Sequence, residues 1–199
     1  MTAHGSATPD ADDAVNLVVG STLASLLGEA THTVSHRMVD AYAKAMGWTI
    51  HPVPEDGWCM LECVARATQR VTVAVPAAVR MALLRQTLEV IGTPAAVAAV
   101  TTAMGGAEAA EVLAMRAKLL GMSDAKLETA VKTAWDSSLW DVLPRWMVDV
   151  TGRPIVVIRA NVRIAKVITD VVGGDTDPIR LVQRTTASGA EHYDLITGG

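Results

Sequence analysis

Residues 52–67 constrain this chain more than any other stretch, because two prolines, a tight turn and the start of a helical apolar pattern follow one another without a gap. Pro52 and Pro54 hold the approach extended, and Asp56-Gly57 turns the chain. From Cys59 onward the apolar side chains Met60, Cys63, Val64 and Ala67 recur at helical spacing, which predicts a helix that begins at Cys59. A cysteine at a helix N-terminus faces unpaired backbone N–H groups and the positive end of the dipole, which favour thiolate over thiol. The same N–H groups, on Gly57, Trp58 and Cys59, could receive an oxyanion formed on an attacked carbonyl. Cys63, one turn later, belongs on the core-facing side as a small hydrophobe.

A nucleophilic cysteine needs a base. Near the other end lies Glu191-His192-Tyr193-Asp194-Leu195-Ile196, in which His192 and Asp194, two apart on a strand, share a face. Asp194 can then accept a bond from one ring nitrogen of His192 and leave the other to face Cys59. The three residues read as a Cys-His-Asp triad that meets only in the fold. Asp56-Gly57-Trp58-Cys59 together with His192-Tyr193-Asp194 resembles the two signature motifs of the OTU (ovarian tumour) family of cysteine peptidases, most of which are deubiquitinases. Order and separation both agree. The resemblance implies an α+β, papain-like OTU fold in which helices flank a small, mostly antiparallel sheet. It also implies hydrolysis of isopeptide or peptide bonds of ubiquitin or a ubiquitin-like modifier, without cofactor or metal. By the same resemblance Asp56 orders the loop that forms the oxyanion site, and Gly57 allows a backbone conformation that a Cβ would disfavour. Trp58 stands where the family more often has a small polar residue, and Glu62 where a basic one is frequent; these departures bear on specificity and local packing. The triad leaves the acyl acceptor open. A deamidase or transglutaminase-like toxin is the alternative enzyme, and an inactive OTU-like binding module the alternative from another class.

The rest of the chain fits one domain over 14–199. Its 199 residues, half of them hydrophobic, are enough to bury a single core, and 19% charged residues are too few for a disordered chain. A net charge of −4 gives no footprint for nucleic acid or an anionic membrane, and no run reaches the roughly 18 apolar residues of a membrane span. Two cysteines at i,i+4 suit a disulfide poorly, so a reducing cytosol is the simpler setting. Residues 1–13 carry no signal-peptide pattern and read as a disordered tail. The Ala- and Val-rich bias hints at a GC-rich bacterial genome, where such enzymes act as effectors delivered without a cleaved signal.

Apolar periodicity predicts helices over 14–27 and 31–46, a helical arm. Further helices are expected from Pro76 to Ile91, from Pro94 toward Gly105, and over 108–120, 123–135 and 138–150. The last has the cleanest period, through Leu139, Val142, Leu143, Trp146, Met147 and Val150. It runs into the all-apolar strand Pro154-Ile155-Val156-Val157-Ile158, expected in the interior of a sheet. That helix-then-strand unit, with Trp135 before it, also resembles the later part of OTU domains. Residues 71–75 are β-branched and suit a strand or an extended link, and 162–172 are β-rich but ambiguous. A hairpin of 179–184 and 192–196 is expected to deliver His192 at the sheet's edge. His32 and His36 share a helix face, but the segment between them lacks the Glu of a zinc-peptidase helix, so both are expected to be solvated or capping. Glu55, His51 and Glu191 are expected in solvent. Trp135, Trp140 and Trp146 are expected to fill the core in a chain without Phe.

Overall fold

The computed structural model describes residues 31–133, 139–164, 166–174, 176–187 and 190–198; the expected tail, the helix over 14–27 and Trp135 lie outside these. Helix α1, Thr31–Ala45, buries the stripe Val34, Met38, Val39, Tyr42 and Ala43. Gly47, at φ +70°, then turns the chain directly into strand β1, Thr49–His51, which is too short to show a period in sequence. Helix α2, Cys59–Gln69, begins at the cysteine as expected, and every residue from Cys59 to Arg66 is buried. It is the central helix of the molecule. Arg70 ends it in the left-handed conformation, at φ 56°.

Five further helices follow: α3 (Ala77–Ile91), α4 (Pro94–Met104), α5 (Gly106–Leu120), α6 (Asp124–Thr133) and α7 (Leu139–Thr151). Pro76 caps α3 from outside its first turn, one residue earlier than the sequence reading placed it. Thr93 accepts a bond from the Ala96 N–H at the start of α4, with Pro94 in the first turn, and Gly105 at φ +82° separates α4 from α5. Trp140 and Trp146 are buried, as core fillers should be.

The remaining strands are β2 (Ile155–Asn161), β3 (Lys166–Val172), β4 (Ile179–Thr185) and β5 (Glu191–Thr197). They form one sheet with β1 in the order β1-β5-β4-β2-β3; β2 and β4 run parallel and every other neighbouring pair antiparallel. This is the α+β architecture of helices around a mostly antiparallel sheet, with β2 inside it. The ambiguous segment resolves into a 3-10 turn at Val162–Ile164 and the edge strand β3. Residues 71–75 form the extended link, not a strand.

Alternation along the strands divides the core in two. Ile155, Leu181, Tyr193 and Leu195 face α2 and the helices beyond it, whereas Val156, Ile158, Val182 and Ile196 face α1. By the same period His192 and Asp194 fall on the α1 face. One expectation needs correction: β5 is not the outermost strand, because β1 flanks it. Yet β1 pairs only with Leu195, Ile196 and Thr197, so the half of β5 that carries His192 and Asp194 stays open on that side.

Candidate active site

After β1 the chain crosses the open half of β5 before entering α2, and that crossing brings the site together. The Val53 N–H donates to Asp194 Oδ1 at 3.0 Å, tying the crossing to the strand. Gly57 adopts φ +80°, a conformation a Cβ would strain. Asp56 Oδ1 accepts from the Trp58 N–H at 3.0 Å, an Asx turn that fixes the last residues before the helix. No side chain caps α2.

The Trp58 N–H, one of the three expected oxyanion donors, is thus already given to Asp56. Trp58 turns its ring inward, where it is 2% exposed and lies under the Arg80 guanidinium, 5.5 Å from the ring centroid. Arg80 Nη1 is also 3.8 Å from Asp56 Oδ2 and 3.3 Å from Glu62 Oε2. Glu62 is buried, accepts from Arg66 Nε at 2.6 Å and from the Val75 N–H at 3.0 Å, and so holds the link at 71–75 against α2. A charged network therefore backs the turn before Cys59, and of it only the Glu62–Arg66 pair, at i,i+4 on α2, is local in sequence.

His192 and Asp194 are joined by a 3.0 Å bond from His192 Nε2 to Asp194 Oδ1, which leaves Nδ1 as the ring atom for Cys59. Nδ1 makes no aligned hydrogen bond, although Cys59 is close enough to bias the ring's protonation. Burial opposes charge on the imidazole, but the Asp194 bond, then Cys59 and the charge of Asp194, outweigh it and raise the His192 pKa from 6.5 to about 10. Burial likewise opposes charge on Asp194, and here the His192 bond, the Val53 N–H and the nearby Arg184 overcome it and hold the carboxyl below its usual range. Cys59, His192 and Asp194 are all buried.

Cys63 lies one turn further along α2, in the core. Its Sγ donates to the Tyr193 carbonyl at 3.4 Å within the core, and burial pushes its thiol well above the ordinary value. Of the α1 histidines, the His36 ring bonds to the Thr185 carbonyl, and the His32 side chain lies outside the described residues. Among the described residues no three His, Cys, Asp or Glu side chains converge as a metal site would need. His51 is half-buried, not solvated, with Nε2 2.7 Å from Thr197 Oγ1 across the β1–β5 pair. Glu55 and Glu191 are exposed. The group that sequence reasoning missed is Arg184, whose Nε lies 3.0 Å from Asp194 Oδ2 and whose Nη2 donates to Asp40 Oδ1 on α1 at 2.8 Å. It sits directly opposite His192 in the β4–β5 register.

The residues thus define a class of site, a thiol at a helix start beside an imidazole held by a carboxylate, on an α+β framework. No protein-family model and no curated protein matches the chain. A solved OTU domain, that of OTUD1, is similar over 84% of this chain and 97% of that one, at 14% identity and a TM-score of 0.47. Among the described residues no single helix is long and apolar enough to cross a membrane.

Proposed function

We propose that the chain is a thiol-dependent hydrolase that cleaves isopeptide or peptide bonds of ubiquitin or a ubiquitin-like modifier. The observation that carries this reading is the 3.0 Å His192–Asp194 bond on the open half of β5, which leaves Nδ1 for a cysteine at the first residue of α2. With its pKa raised to about 10 the ring is protonated at neutral pH, a charge suited to stand beside a thiolate. Cys59 Sγ attacks the carbonyl carbon, and the Cys59 and Gly57 N–H groups receive the oxyanion. The His192 imidazolium gives its proton to the departing amine, leaving a thioester. The neutral ring then takes a proton from water as the water attacks, and the carboxylic acid leaves as the thiolate returns. Asp194 orients the ring throughout. The scheme uses no cofactor or metal. It requires Cys59 as a free thiol and so suits a reducing cytosol, which a delivered effector would also reach.

The ubiquitin assignment is supported by the likeness of the residues around Cys59 and His192 to the OTU motifs. It is tested with linkage-defined ubiquitin chains, a Cys59→Ala control and an electrophilic ubiquitin probe. Chains are expected to be cut, and the probe to label Cys59 and spare Cys63. Ammonia release without cleavage would redirect the assignment to a deamidase. Ubiquitin binding without labelling would reduce it to a binding module.

A further inference from the structure

Arg184 lies beside the triad without belonging to it. We propose that Arg184 is a positioning residue for Asp194, anchored in turn by Asp40, so that α1 takes part in orienting the base. The proposal rests on the reading of Cys59, His192 and Asp194 as a working triad. Asp194 Oδ1 already accepts the Val53 N–H and His192 Nε2, each at 3.0 Å. Held by that oxygen alone, the carboxylate could still swing about its Cβ–Cγ bond and carry the imidazole with it. Arg184 Nε stands 3.0 Å from Oδ2 as an ion pair whose N–H is not aligned as a hydrogen bond, and its charge there opposes that swing.

The arginine is itself fixed. Its side chain is 13% exposed, and its Nη2 reaches Asp40 Oδ1 at 2.8 Å. A guanidinium serves two carboxylates with N–H groups in one rigid plane, which a lysine ammonium does not reproduce. The His192 ring and the Val53 amide both bond to Oδ1. Arg184 therefore belongs to the base's geometry and not merely to the fold's charge balance.

A double-mutant cycle separates these roles, because a residue that acts through Asp194 has nothing to act on once Asp194 is changed. Alkylation of Cys59 by iodoacetamide, followed residue by residue in a mass spectrometer at pH 7, reads the thiol–imidazole pair without a protein substrate. The unaltered protein is expected to react faster at Cys59 than an unfolded cysteine peptide does. Arg184→Gln is expected to slow it between about tenfold and the roughly 10²-fold cost of a 1 Å misplacement. Arg184→Lys should recover only part of that loss. In an Asp194→Asn background, Arg184→Gln should change the rate by no more than about twofold. If the two changes multiply instead, Arg184 acts independently of Asp194 and the proposal falls. Should Arg184→Gln not fold, Asp40→Asn at its exposed position gives the same cycle with a smaller first effect, and multiplication there is equally fatal. A wild-type Cys59 no faster than the peptide would overturn the triad reading, and the proposal with it.

Discussion

The two faces of the sheet hold the two halves of the site by different forces. On one, α2 is buried for two turns in the larger core, against β5, β4 and α3, so Cys59 is placed by apolar packing and by the backbone of one tight turn. On the other, α1 covers the strands, and His192 and Asp194 are placed by a chain of polar contacts from Val53 through Arg184 to Asp40. Packing is cooperative and shared by many residues, whereas a directional polar contact is carried by few. Damage on the first face should therefore appear as lost stability, and on the second as lost chemistry in a folded protein.

The sharpest break is His192→Ala, which is expected to abolish turnover while circular dichroism still reports a folded chain. Asp194→Ala should leave a measurable residue, since losing the orienting group misplaces the base without removing it. The opposite order in folded proteins would reverse the assigned roles. On the packed face Leu84→Ala should cost about 2–5 kcal/mol in denaturant unfolding and leave the site's residues in place.

Asp56→Ala tests the backbone contribution. It should lower amide hydrolysis by about 10²–10³, the usual cost of a lost oxyanion contact, while Cys59 keeps most of its rate toward a small alkylating agent that forms no tetrahedral oxyanion. A parallel fall in both, at unchanged melting temperature, would move Asp56 from the oxyanion turn to the thiol itself.

The smallest effect concerns pH. A folded pKa raised from 6.5 to about 10 means that the protonated ring stabilises the fold fully below pH 6.5, and that this is lost as pH rises through about 10. Activity that needs the imidazolium should fall over the same alkaline range. Asp194→Asn removes the largest favourable cause, so the alkaline limb of kcat/KM should move to lower pH. A limb that stays in place would mean that Asp194 does not govern the ring's charge.

Helical periods and the nucleophile's turn were readable from residues because both are local. The 138–150 pattern became α7 nearly residue for residue, and Asp56-Gly57 became a turn with positive φ at the glycine. What stayed open or unread depends on tertiary partners. Residues 71–75 suit a strand or an extended link, and the link is settled by the neighbouring helix: the Thr72 carbonyl accepts from Arg66 and the Val75 N–H donates to Glu62. Strand β1 offers three residues and no period, yet it determines which half of β5 is open. Arg184 ends an expected strand and has no local pattern that marks a role. The β4–β5 register places it across from His192, and the Thr186–Ala190 backbone bond fixes that register only once the hairpin closes.

The bond from Val53 to Asp194 spans 141 residues, and β5 comes after every other described element of the fold. During synthesis Cys59 therefore leaves the ribosome long before its base exists, and the central helix must pack without the strand that will arm it. Any fragment that stops short of residue 191 holds a cysteine with neither imidazole nor carboxylate. Sequence order thus makes assembly of the proposed triad wait on β5, so that the imidazole and its carboxylate arrive together and after the thiol.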